Sequence, residues 1–227
     1  MSVAVLIGAL AGLGWGFVAD RVAARWPAHD DGSSRAVDWR TAAVVGVGAV
    51  AVALLAARFG DAGGGPTDAA TLGPRILMIV IVPALVVLFA TDLDQRLLPD
   101  ALTLPIGPIA ILAFVLGVNP YVSQPGQLAI AAAAAILLPL GMFAVSLPFG
   151  RGAIGMGDLK LLFGVGLLAG ASRLLAALVV GALAAAVVIV ILVVARRITL
   201  RSYVPYGPFL ILGVLWALLV LPVDSAL

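Results

Sequence analysis

The chain has no cysteine and no glutamate, a single lysine and a single histidine. Each absence removes a class of chemistry. Without cysteine there is no disulfide, no thiolate-bound zinc and no thiol nucleophile. With His29 alone in a polar stretch, and no glutamate, a histidine-rich metal centre is not expected, and no cofactor is implied. Charge of any kind is scarce. Only 11% of the 227 residues are charged, where a soluble domain carries roughly a quarter. The net charge of +2 offers no strongly basic surface, so no nucleic-acid partner is expected.

What is present is apolar, 63% of the residues, and it comes in long blocks. They run Val3–Ala19, Thr41–Ala57, Leu72–Ala90, Ala101–Val118, Leu128–Leu147, Leu159–Ala171, Leu174–Ala195 and Val204–Val223. Such blocks lack the alternation of barrel strands and predict membrane-spanning helices. The expected fold is all-α, a polytopic transmembrane helical bundle of about eight spans in the lipid bilayer. Several blocks fall short of the ~20 residues a full crossing needs, so their ends must extend into polar flanks. The sixth, Leu159–Ala171, is the weakest and reads as a short helix, a tilted helix or a partial crossing. Pro83, Pro105, Pro108 and Pro139 lie inside blocks and predict kinks. Ala131–Ala135 offers a small-residue face for close helix packing.

Basic residues set the orientation. Arg21 and Arg25 follow the first block and nothing basic precedes it, the reverse of a signal peptide. A retained first span with its N-terminus outside is expected. On that orientation ten basic residues (Arg21, Arg25, Arg35, Arg40, Arg96, Arg151, Lys160, Arg196, Arg197 and Arg201) lie inside, and three (Arg58, Arg75 and Arg173) lie outside. Omitting the sixth span would move Arg196, Arg197 and Arg201 to the outside.

This topology carries two acidic groups to one membrane face. Asp92, Asp94 and Asp100 follow the third span, and Asp158 opens the sixth within Gly155-Met156-Gly157-Asp158-Leu159-Lys160. An ionisable residue at the edge of a span costs free energy that some role must offset. Two neighbouring carboxylates cannot both ionise cheaply, so one acts as acid and the other as base. Such a pair can activate water against a peptide carbonyl without metal, thiol or imidazole. Gly155 and Gly157 would let a substrate backbone approach. The structural alternatives are caps for Asp158 and Asp100, span ends for Asp92 and Asp94, and a snorkelling Lys160. Arg96 reads as a topological or lipid-facing charge. A proton-coupled transporter also uses intramembrane acids, but it predicts acids deep within spans and repeated halves. Here the acids stand at span ends and no repeat is visible.

Asp92-Leu93-Asp94-Gln95-Arg96-Leu97-Leu98-Pro99-Asp100, followed by Thr103, resembles the first aspartate motif of the prepilin peptidases, the type IV leader peptidases. Gly155-Met156-Gly157-Asp158-Leu159-Lys160-Leu161-Leu162 resembles their second, the GxGD motif. Val204-Pro205-Tyr206-Gly207-Pro208-Phe209-Leu210 is similar to a further stretch, with Tyr206 where phenylalanine is usual. The resemblance covers residues 72 to 215. It implies an aspartic-type membrane endopeptidase without a metal. Its acid seven residues before the proline selects Asp92 over Asp94, and Asp158 is the second. Asp94, Gly155, Gly157 and Lys160 are then expected to bind substrate or shape the loops. The implied substrates are type IV prepilin or pseudopilin precursors, whose short basic leader is cut after a glycine at the cytoplasmic face of the inner (plasma) membrane. A non-cleaving relative that binds such precursors is a weaker alternative.

Gly12 to Pro27 loosely resembles the first span of larger members. Their following cytoplasmic domain carries paired Cys-x-x-Cys motifs, and here that loop is short and cysteine-free. The associated zinc site is absent, and nothing resembles a loop for a methyl donor, so N-methylation of the new amino terminus is not implied. The expected organisation is one membrane-embedded peptidase domain over 1–227. In it, 1–71 form a reduced N-terminal part with a short cytoplasmic loop at 20–40, and 72–223 form the catalytic core.

Overall fold

The apolar runs fold as α-helices. No strand occurs among the described residues, which in this computed structural model are 2–27, 34–60, 69–149, 155–197 and 206–222. His29, Arg151, Arg201 and the Val204-Pro205 start of the last motif lie outside them. The helices are α1 (Val3–Ala23), α2 (Trp39–Phe59), α3 (Ala69–Gln95), α4 (Asp100–Thr103), α5 (Ile106–Val115), α6 (Pro125–Ser146), α7 (Met156–Val194) and α8 (Gly207–Leu219). Five are long and apolar enough to cross a membrane: α1, α2, Leu72–Gln95 of α3, α6 and α7. The chain is an all-helical, multi-pass membrane protein.

The eight apolar runs map onto these helices unevenly. The fourth is divided between α4 and α5 because Pro105 has no N–H with which to continue the ladder; it stands as the N-cap of α5. Pro83 and Pro139 lie inside α3 and α6. The sixth and seventh runs are joined in α7, whose 39 residues would reach about 58 Å if straight, nearly twice the ~30 Å of hydrocarbon. Gly170, at φ 82° and ψ 170°, breaks it. Only glycine reaches that conformation at little cost. Beyond the break Leu174 folds back, its Cδ2 3.0 Å from the Cβ position of Gly166. A continuous helix would hold those residues about 12 Å apart. The weak sixth run is therefore a helical arm of its own, from Met156 to the break.

Between membrane helices, close packing replaces the hydrophobic effect as the adhesive. Gly8, Gly12 and Gly16 recur every four residues and so share one face of α1. A Cβ on Gly12 would lie 2.3 Å from the Gly48 carbonyl oxygen, and one on Gly48 would lie 2.6 Å from that of Gly12. The backbones of α1 and α2 thus touch directly. Gly12→Val is expected to lower stability by about 1–3 kcal/mol through overpacking, read as a lower thermal midpoint in detergent. The second arm of α7 meets α8 the same way, since a Cβ on Gly213 would lie 2.1 Å from the Ala177 oxygen. Ala135 of the small-residue face packs against Gly166. Helix α3 is central: 67% of its apolar window is buried, against 28% or less in the other four.

Polar ties pin the bundle at two poles. At one, Asp20 is fully buried and pairs with Arg21 and Arg35, and it accepts from Thr41 Oγ1 at 2.8 Å. Arg35, between α1 and α2, also reaches Asp38 at 2.5 Å and Asp94 at 2.6 Å. Gln95 Nε2 donates to the Ala23 and Pro27 carbonyls, closing the end of α1. At the other pole the Tyr121 hydroxyl donates to Leu218 O at 2.7 Å, and the Arg173 guanidinium lies 4.5 Å from the Tyr121 ring centre. Burial pushes the Tyr121 pKa up to about 12, so at neutral pH the hydroxyl remains a donor. Asn119 Nδ2 donates to Leu168 O at 3.1 Å, fastening the far end of the first α7 arm to the same pole.

Candidate active site

Asp92 lies in the last turn of α3 and Asp158 in the first turn of α7. Helix ends are where a carboxylate can leave the apolar layer and still be held by the fold. Asp158 is the third helical residue after the N-cap Gly155. An acid in the first turn complements the positive end of the helix dipole. Asp92 is 6% exposed, and its Oδ2 is buried without a hydrogen-bond partner.

The structure brings these two residues, 66 positions apart in the sequence, to one cleft of about 360 Å³. The α3–α4 link contributes Arg96, Leu97 and Leu98 to its wall, α4 contributes Asp100, and the start of α7 contributes Gly155, Met156, Gly157 and Lys160. The two carboxyl groups lie within electrostatic range of each other. A Cβ on Gly157 would lie 2.7 Å from Leu98 Cβ, so the missing side chain lets α7 close on the link after α3. A Cβ on Gly155 would lie 3.3 Å from Asp158 Oδ2.

Asp94 stands elsewhere. Its side chain is 1% exposed, and its Oδ1 lies 2.6 Å from Arg35 Nε and 2.8 Å from Arg40 Nη1. It belongs to the ion cluster and not to the cleft wall. Breaking a buried pair from one side leaves its partners uncompensated. Asp94→Asn is therefore expected to cost about 3–5 kcal/mol, measured by thermal unfolding. Asp100 does not cap α4 with its side chain; Pro99 is the N-cap, and the Asp100 carboxylate takes Lys160 Nζ at 2.7 and 2.8 Å. Lys160 thus bridges α7 to α4 across the cleft mouth.

Three residues join the site that the sequence does not place there. Arg96, expected as a topological or lipid-facing charge, lines the cleft; its φ of 55° turns the chain out of α3 while its N–H still bonds Asp92 O. Its spacing of four residues from Asp92 is the one signal that could have found it. Gly207 opens α8 against Asp92, with a Cβ position only 2.2 Å from Asp92 Oδ2. Tyr206, just before it, has its pKa raised by burial and then by the nearby Asp158 carboxylate. Both stand in the third quoted stretch, where nothing in their residue type points to a role. The site is therefore built from three segments: the end of α3, the start of α7 and the start of α8.

Comparison with known proteins places this geometry in context. The model of the type IV leader peptidase family matches residues 79–194, just over half the chain and inclusive of Asp92 and Asp158. A prepilin leader peptidase/N-methyltransferase of Aeromonas hydrophila is 34% identical over 146 residues, which cover 63% of this chain and 49% of that protein. The chain spans about half the length of this curated relative. No solved structure matches it. With both cleft aspartates inside the matched region, the chain belongs to the type IV leader peptidase family.

Proposed function

We propose that this chain is an aspartic-type endopeptidase that removes the short basic leader from type IV prepilin or pseudopilin precursors, cutting after a glycine. The observation that carries the reading is the shared cleft of Asp92 and Asp158. One carboxyl of the pair is ionised and takes a proton from water as the water oxygen attacks the scissile carbonyl carbon. The other carries a proton and gives it to the carbonyl oxygen, which becomes the hydroxyl of a tetrahedral intermediate. Collapse of that intermediate breaks the C–N bond as the first carboxyl delivers the proton taken from water to the departing nitrogen and the second recovers its proton from the hydroxyl, leaving a new carboxyl terminus. Gly155 and Gly157 shape the loop around the substrate backbone, and Lys160 holds the mouth through Asp100.

In the bilayer, α1, α2, α3, α4 with α5, α6, the two arms of α7, and α8 make eight crossings with the N-terminus outside. The catalytic cleft then faces the cytoplasm of the inner membrane, where the cluster Arg21, Arg35 and Arg40 also lies, in keeping with the excess of basic residues on that side. A leader that has not crossed the membrane reaches the cleft from there. The chain is one membrane-embedded domain whose 72–223 portion carries catalysis.

The test is to incubate purified, detergent-solubilised protein with a leader-bearing precursor and to determine the amino terminus of the product. Release of the leader supports the reading. Stable binding without a cut would favour a precursor-binding relative, and proton flux in proteoliposomes lost on Asp92→Asn would favour a transporter.

A further inference from the structure

Resting on the peptidase reading above, we infer that Arg35 is a positioning residue for Asp92: by holding Asp94 it fixes the rotation of the last turn of α3, so that Asp92 and not Asp94 is turned into the cleft. Residues two apart on a helix stand about 160° apart around its axis. Asp92 and Asp94 therefore lie on nearly opposite faces of one turn of α3. Asp92 lines the cleft with Asp158. Asp94 meets the α1–α2 side, where Arg35 and Arg40 pair with it at 2.6 and 2.8 Å. The two acids are the same residue type, so their own chemistry does not decide which of them enters the cleft. What grips the turn from outside decides it.

That turn needs a grip. Gln95 is the last residue of α3, and Arg96, at φ 55°, leads the chain away. A helix end frays unless something beyond the helix holds it. Arg35 is fitted to hold it because it cannot follow α3. Its guanidinium is shared by carboxylates from three helices: Asp20 of α1, Asp38 that caps α2, and Asp94 of α3. A guanidinium is a planar fork of fixed geometry, so carboxylates gathered on one are set in relation to each other. The Arg35 backbone is tied as well. Its carbonyl accepts from Arg21 Nη1 at 3.1 Å, and its N–H donates to Ala24 O at 3.4 Å. Gln95 adds a second grip on the same turn, donating to Ala23 O and Pro27 O at 3.2 and 2.9 Å.

The family match spans 79–194, which takes in both aspartates and leaves Arg35 and Arg40 outside. The segment before α3 thereby acquires a part in catalysis, carried through Asp94 and without contact with the substrate.

The experiment separates lost position from lost stability. Arg35→Gln is expected to lower kcat for a leader-bearing precursor about thirtyfold, with KM changed less than about twofold. Tyr121→Phe, at the opposite pole, removes the donor to Leu218 O; it should lower the thermal midpoint and leave kcat unchanged. A second readout needs no catalysis. The chain has no cysteine, so Asp92→Cys with Asp158→Cys supplies the only two thiols. A short bis-maleimide should join them, and adding Arg35→Gln should slow the joining about tenfold. Three results would each overturn the positioning role: joining unaffected by Arg35→Gln, a lower thermal midpoint with parent-like kcat, or a raised KM without a fall in kcat. Should Arg35→Gln fail to fold, Arg40→Gln, which leaves Arg35 on Asp94, should show a smaller fall in kcat at unchanged KM; parent-like kcat there overturns the role. Failure of the unaltered protein to cut a precursor would overturn the peptidase reading instead, while the cross-linking rates still report whether Arg35 holds position 92.

Discussion

Asp158→Asn, and separately Asp92→Asn, will reduce precursor cleavage about a thousandfold, with the helical fold intact. The amide matches the carboxylate in size, so packing around either position changes little. What it loses is the capacity to take up and deliver a proton. Neither position resembles Asp94, whose carboxylate is held by two arginines. Asp92 Oδ2 has no protein donor to lose, and Asp158 sits in a first helical turn where an amide is tolerated. Thermal midpoints of both variants should stay near that of the parent. Because the two groups act as a unit, the double variant should be no slower than either single one. Cleavage by either variant at more than a tenth of the parent rate would sink the dyad.

Gly207→Ala will lower kcat about a hundredfold although the residue carries no chemistry. The added methyl would lie 2.2 Å from Asp92 Oδ2 and 2.7 Å from its Cγ, closer than non-bonded atoms approach. Either α8 or the carboxyl must move. Helix α8 is wedged against the second arm of α7, where Gly213 meets the Ala177 oxygen and Gly181 meets that of Phe209. The short Asp92 side chain yields instead, and a displacement near 1 Å is enough to spoil the alignment of acid, water and carbonyl. Gly46→Ala, where no atom stands within 4 Å of the new Cβ, is the matched control and should leave cleavage unchanged. Parent-like kcat in Gly207→Ala would show that the start of α8 does not hold Asp92 in place.

Helical character was legible because apolar blocks of this length have no other stable form in hydrocarbon. Where the blocks divide was less so. Gly170 is one of 26 glycines, and only its φ distinguishes it as a break. Pro105 stands where one run divides, at a helix start, while Pro83 and Pro139 lie within the unbroken α3 and α6. The four-residue spacing of Gly8, Gly12 and Gly16 could be read from the sequence, but their partner Gly48 could not.

In the site, spacing within the resemblance separated Asp92 from Asp94. The physical reason for that separation lies far along the chain. Arg35 and Arg40 precede Asp94 by more than fifty residues and meet it only in the fold. Gly207 was hidden for a similar cause. A residue defined by the absence of a side chain shows its purpose only once the neighbouring carboxylate is in position.

The strap formed by Arg35 over Asp20 and Asp94 has a practical corollary. It ties the first two helices to the acid-bearing end of α3 with guanidinium and carboxylate alone. Those groups offer a chelator nothing to strip and a reductant nothing to cleave. The ties among the described helices therefore depend on neither zinc supply nor thiol balance.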